Sequence, residues 1–318
     1  MYDWPSNLVP DTELCIAINT HNTPKALSLI ENGANVNALS GSYGCTPLKL
    51  ASANGDLGMM EALLDAGAYV DIRNTDGLTA LFFAAQAGNV SAASILVLHG
   101  ADVSAKNFSG STPLHFAVSG PLASSEDVKA MVTLLMRSGA DVNAYSDRRH
   151  VTVLMHAVDA RDPGVVDVLL NAECHTKLRI DDTDSDGCTA LRRAILHQDI
   201  DIVKLLILRG ASIDVKDRDG RTATELAVLW GNSKRATRVE KDISRLLKDV
   251  EERFLYRSLQ RVAAMGGHSR AVDSPFDRLP PGILSRIFGK DEQQQAEKSE
   301  YDRFVDDVVT SKLTHTVA

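Results

Sequence analysis

Gly110-Ser111-Thr112-Pro113-Leu114-His115-Phe116-Ala117 spells out the entrance to a helix. Thr112 is an N-cap type of residue, and Pro113 follows at the first helical position, where its missing amide hydrogen costs nothing. Leu114 and Ala117 then fall three apart, on one side of the helix. The phrase recurs as Gly44-Cys45-Thr46-Pro47-Leu48 with Ala51, Gly77-Leu78-Thr79-Ala80-Leu81 with Ala84, and Gly187-Cys188-Thr189-Ala190-Leu191 with Ala194. Degenerate copies begin at His150-Val151-Thr152-Val153-Leu154 and Gly220-Arg221-Thr222-Ala223. Thr46, Thr79 and Thr112 stand 33 residues apart, as do Thr189 and Thr222. A fixed period of this size means stacked units, each burying its apolar side only against its neighbours.

Downstream of Thr112, Val128, Met131, Val132 and Leu135 keep helical spacing and predict a second helix that stops at Gly139. Glycine just past a helix accepts the left-handed conformation of a C-terminal cap. An extended stretch, Ala140 to Ala144, leads into the next unit. This closing phrase repeats too, as Gly33-Ala34-Asn35-Val36-Asn37, Gly67-Ala68-Tyr69-Val70-Asp71, Gly100-Ala101-Asp102-Val103-Ser104 and Gly210-Ala211-Ser212-Ile213-Asp214.

Together the two phrases, with Thr112-Pro113-Leu114-His115 among them, resemble the ankyrin repeat. The resemblance runs from Asp11 to Lys248 in about seven units. It implies an all-α solenoid of β-turn or hairpin fingers and antiparallel helix pairs, with a concave face made by fingers and first helices. It also implies a structural role for His115, bonded near the Thr of its own unit, and oxygenase modification of finger asparagines such as Asn143. Two steps break the period: Thr112 to Thr152 is 40 residues and Thr152 to Thr189 is 37. The first predicts extra residues between helices, at Ser119 to Glu126. The second brings Glu173-Cys174-His175 in place of Gly-Ala, a strained cap, and predicts local fraying there.

The bulk composition agrees with a surface-presenting protein. Of 318 residues, 44% are hydrophobic and only 5% aromatic, which suits small-residue helix packing. A formal charge of −8 argues against general nucleic-acid binding, which needs a basic footprint. The four cysteines are widely spaced, and Cys45 and Cys188 share one repeat position, so a reducing compartment is the default. Met1 to Pro10 lacks the features of a signal peptide, and no apolar run is long enough for a bilayer. These features predict a cytoplasmic monomer with no cofactor, or a host cytosolic or nuclear one for a viral or bacterial effector.

No catalytic constellation emerges, and the chain is read as a non-enzyme. Asp182-x-Asp184-x-Asp186-Gly187 imitates the start of a calcium loop, but Arg193 stands where the bidentate Glu is needed, so the stretch reads as a solvated finger loop. Cys174, His175, Cys188 and His197 match no standard zinc spacing. Variable positions on fingers and first helices give the candidate partner surface: Tyr43, Asp76, Gln86, Phe108, Arg148, Arg149, Arg192, His197, Arg218 and Trp230. Aromatic residues and arginine are the usual interface anchors.

The domain expectation is a leader over 1–10, repeats over 11–233, a long amphipathic capping helix over 234–265, a linker over 266–274 and a tail over 275–318. In the tail, Pro280-Pro281 starts a helix whose apolar stripe is Ile283, Leu284, Ile287 and Phe288. Leu279, Pro280, Ile283 and Ile287 fit the opening of an F-box, and the combination resembles the F-box-like (PRANC-like) tails of ankyrin proteins from poxviruses and intracellular bacteria. That resemblance implies docking of residues 279–288 on the Skp1 adaptor of cullin ubiquitin ligases. A SOCS-box, with Ser258-Leu259 and Leu279-Pro280-Pro281 as landmarks, and a helical tail folded back on the last repeat stay open. The functional expectation is non-covalent capture of a protein, as the substrate receptor of a ligase or as a plain scaffold or inhibitor.

Overall fold

A computed structural model of the chain describes residues 12–120, 124–146, 149–171, 177–232 and 237–265, with side chains to residue 252. The chain divides into two compact units, Met1–Arg193 and Ala194–Ala318.

In the first unit, helices come in pairs. The first-helix series is α1 (Glu13–Asn19), α3 (Pro47–Asn54), α5 (Ala80–Ala87), α7 (Pro113–Ser119) and α9 (Val153–Asp159). Each is followed by a partner: α2 (Thr23–Glu31), α4 (Leu57–Asp65), α6 (Val90–Leu98), α8 (Ser125–Arg137) and α10 (Pro163–Leu170). Successive first helices pack side by side, α1 on α3, α3 on α5, α5 on α7 and α7 on α9. Leu48 and Ala51, Leu81 and Ala84, Leu114 and Ala117, and Leu154 and Ala157 are all buried at these seams. Alanine three residues after the leucine lets neighbouring backbones approach. The second helices bury Met59, Met60 and Leu63, then Ala92, Ala93 and Leu96, then Met131, Val132 and Leu135.

The repeated Thr caps most of the first helices, Thr79 excepted. Its hydroxyl accepts from the amide three residues on, Lys49 at Thr46 (3.4 Å), Met155 at Thr152 (3.3 Å) and Arg192 at Thr189 (3.2 Å). Each satisfies one orphan helix donor. The second helices use Asn22, Asp56, Ser124 and Asp162 in the same way. Asn89 does otherwise. Its amide donates to the carbonyls of Ser52 (3.0 Å) and Ala53 (2.7 Å), tying one repeat to the one before.

The extra residues after Thr112 are partly helix, not a loop over Ser119 to Glu126. Ser119 ends α7, and Ser125 and Glu126 open α8. At 13 residues, α8 is about a turn longer than the 9-residue α4 and α6. Glu126 and Asp127 in its first turn complement the positive end of the helix dipole. Glu173-Cys174-His175, where fraying was expected, lie outside the described residues.

Between repeats the chain forms fingers. One has a two-residue hairpin, β1 (Tyr145–Ser146) against β2 (Val151–Thr152), with Tyr145 opposite Thr152. Gly77 shows how closely fingers pack. It holds φ at +80°, and a β-carbon there would lie 3.0 Å from the Phe108 amide nitrogen and 3.2 Å from the Asn107 α-carbon. Gly100 is also left-handed but faces open space. Gly77→Ala is therefore expected to destabilise by about 2 kcal/mol and Gly100→Ala by about 1, because only the first adds overlap with backbone to the conformational cost. Urea denaturation of the two variants checks the ranking.

The second unit holds α12 (Ile200–Leu208), α13 (Ala223–Gly231) and the 28-residue α14 (Arg238–Met265); α11 (Ala190–Leu196) spans the division. Helix α14 opens on a capping box, in which the Glu240 carboxylate accepts from the Thr237 amide (2.6 Å) and the Thr237 hydroxyl from the Glu240 amide (3.2 Å). Ile243, Leu246, Leu247 and Val250 are buried along it, and α14 packs on α13 and α12. Gly231 permits the α13 contact, since a β-carbon there would meet the Ser244 side chain at 2.7 Å.

Candidate protein-binding surface

Four of the fingers are each built around one turn-closing side chain. Five residues before the repeated Thr stands Asn74, Asn107, Asp184 or Asp217. The Asn74 side-chain oxygen accepts from the amides of Asp76 (3.0 Å) and Leu78 (2.8 Å). Asn107 takes Ser109 and Ser111, and Asp184 takes Asp186 (2.8 Å) and Cys188 (2.9 Å). In the second unit Asp217 takes Arg221 (2.8 Å). The signal was present as a short polar residue three before the glycine of each of these four fingers, and such residues close their own turns. Asp184 is thus a buried turn staple, not part of a solvated loop. Its outer oxygen meets Arg193 Nη2 at 2.6 Å, and Arg193 Nη1 reaches Asp159 at 2.5 Å. Burial alone would raise the Asp184 pKa; the Cys188 amide, Arg193 and the Asp186 amide together hold it below the usual carboxylate value.

Fingers are also tied to each other. The Thr75 amide donates to the Tyr43 carbonyl (3.2 Å), Phe108 to Asp76 (3.0 Å) and Ser185 to Arg149 (2.8 Å). At the roots, the Asn37 side chain accepts from Tyr69 (2.8 Å) and donates to Gly67 (3.0 Å). Asn143 does the same with Arg179 (2.7 Å) and Lys177 (2.9 Å). Asn143 is buried, and both ends of its amide are engaged in this cross-link.

Behind the fingers sits His115, also buried. Its Nδ1 accepts from the Thr112 amide (3.1 Å) and lies 2.9 Å from the Thr112 hydroxyl; Nε2 is 3.4 Å from the Val151 carbonyl. The imidazole therefore serves as the reach-back residue of a capping box and is neutral. Burial first, then the nearby His156, push its pKa down to about 4. At the same repeat position in an earlier unit is Lys49, fully buried, its ammonium 3.5 Å from the Gly44 carbonyl. Burial pushes it down to about 8, although Cys45 opposes the shift.

The expected partner-binding residues fall in three groups. In the first unit Tyr43 and Phe108 are 60% and 68% exposed, at finger tips whose backbones are bonded to neighbouring fingers, and Asp76, Gln86 and Arg149 are exposed. Arg192, in α11, is half-buried. In the second unit Arg218 is exposed, and His197 and Trp230 are half-buried. Arg148 and the whole adaptor-binding set, Leu279, Pro280, Ile283, Leu284, Ile287 and Phe288, lie outside the described residues. Among the described residues, no group of three or more His, Cys, Asp or Glu side chains is placed to hold a metal ion. No described helix is long and apolar enough to cross a membrane.

Models of the ankyrin repeat family match along most of the chain. One, ankyrin repeats (3 copies), matches residues 50–145, 122–217 and 154–239; another, ankyrin repeats (many copies), matches 14–64. The chain belongs to the ankyrin repeat family, and its repeats form a protein–protein interaction module. It is 34% identical over 116 residues to the putative ankyrin repeat protein FPV031 of fowlpox virus (strain NVSL). That match takes in 35% of this chain and spans about a third (33%) of the relative. Among solved structures, the ankyrin repeat domain of Bcl-3, described as a unique member of the IkappaB family, superposes with a TM-score of 0.60 at 25% identity, covering 74% of this chain and 98% of that one. The human ASB11 ankyrin repeat domain gives 0.60 at 21%, covering 73% and 96%, and shares the fold.

Proposed function

We propose that the finger tips and first helices hold a protein partner, and that the tail delivers this partner to a cullin-type ubiquitin ligase through Skp1. The observation that carries the first half is the exposure of Tyr43 and Phe108 on tips whose backbone is already bonded. A rigid, exposed aromatic loses little entropy when a partner covers it. The second half rests on Leu279-Pro280 with Ile283 and Ile287. The alternative, a plain scaffold or inhibitor, needs no tail.

Affinity purification of three forms tests both halves: the full chain, its Tyr43→Ala/Phe108→Ala variant, and a chain ending at Gly267. The double variant should retain about a tenth or less of the captured partner, the size of effect that hot-spot aromatics have. Skp1 and cullin should come down with the full chain and be missing from the truncated one. Skp1 and cullin absent from both samples would leave the scaffold. A partner retained in full by the double variant would remove the tips from the interface.

A further inference from the structure

A row of side chains crosses three fingers of the first unit, and two of its links leave a cation, Arg73 and Lys106, facing solvent. Arg73 donates through Nη1 to the Lys106 carbonyl at 2.9 Å. The Lys106 ammonium lies 5.3 Å from the centre of the Tyr145 ring. That ring leans on His150, with centroids 4.9 Å apart and planes at 31°. Arg73, Lys106, Tyr145, Arg149 and His150 are all exposed. His150 replaces the glycine found two residues before the repeated Thr elsewhere, and it holds φ at +52°.

Arg73 and Lys106 are held by a carbonyl and an aromatic face, with the Asp71 carboxylate near enough to Arg73 for their charges to interact. Among the described residues no carboxylate stands within ion-pair distance of Arg73, Lys106 or Arg149. Arg73 commits one nitrogen to the carbonyl, leaving donors for a carboxylate fork. A cation resting on a ring keeps its charge and has its side chain already ordered. In a chain of net charge −8, such a row is a local exception.

We infer that the Arg73–Lys106–Tyr145 row, with Arg149 beside it, binds an acidic segment of a protein partner. The inference rests on the reading of the fingers as a protein-binding surface and names the chemistry of what they hold. A nucleic-acid backbone fits less well, because a chain of net charge −8 lacks the extended basic footprint that such binding needs.

The full chain is titrated into fluorescein-labelled oligoglutamate, oligolysine of equal length and a single-stranded oligonucleotide, with anisotropy as the readout. Oligoglutamate should bind, and binding should weaken as salt rises. Arg73→Glu/Lys106→Glu should weaken it by about tenfold or more, and Tyr145→Ala by a few-fold, with unchanged circular dichroism. Equal binding by wild type and the charge-reversed variant overturns the inference, as does no binding or tighter binding of the oligonucleotide. If oligoglutamate fails while Tyr43→Ala/Phe108→Ala still abolishes partner capture, the finger surface stands and only its acidic partner falls.

Discussion

Alanine in place of Asp184 should lower the stability of its repeat by about 3 kcal/mol, the cost of breaking a buried ion pair and orphaning two turn amides. The side chain is 6% exposed and that of Arg193 19%, so water replaces little of what is lost. One Asp184 oxygen closes the finger turn and the other faces the guanidinium that also bridges to Asp159. Two other fingers separate the roles, because Asn74 and Asn107 close the same turn without charge. Asp184→Asn should therefore keep the turn and lose only the ion pair, at about half the cost. In a repeat array this loss is local. Amide exchange at Asp186 and Cys188 should quicken in the alanine variant and far less in the asparagine one. Equal exchange in both would mean the acceptor matters less than the charge.

The repeats were legible because their cause is local and periodic. A Thr that caps, a Pro that needs no donor, and a Leu and Ala three apart each read off a short window, and recurrence at 33 residues removes coincidence. What was missed is lateral. Arg73 and Lys106 are 33 residues apart, so their contact is one period long and invisible in any window. The stretch around Asp184 reads as a solvated finger loop because its ion pair with Arg193, 9 residues on, and the bond from Arg193 to Asp159, 34 residues back, are made only in the fold. Strain was missed as well. Gly55 and Gly88 mark the left-handed turn between paired helices, but His21, Arg161 and Gln198 also take positive φ, with no glycine to announce it. The insertion after Thr112 is placed between the helices by the broken period alone, whereas Ser124 is an N-cap and helix follows.

The second large effect is expected from pH, at His115. An unfolded histidine titrates near 6.5, and burial, then the nearby His156, bring the folded value to about 4 against the opposing pull of the Val151 carbonyl. Between these values the unfolded chain binds the extra proton, so stability is full above pH 6.5 and falls as pH drops toward 4. The loss is about 3 kcal/mol, from roughly 2.5 pKa units at 1.36 kcal/mol each. His156 adds to the same fall: burial lowers it, Asp159 pulls it up and Arg193 pushes it down. Asp71 and Glu251, both raised by burial, take up protons early in the folded state and offset a part. The depressed carboxylates Asp162 and Asp184 act only below their ordinary 3.8, outside this window. Gln at this N3 position can still reach back to the Thr112 amide but cannot titrate. Urea midpoints from pH 7.5 to 4 should thus fall steeply in the wild type and clearly less in His115→Gln. Parallel curves would show that the imidazole carries no more of the acid response than a surface histidine does.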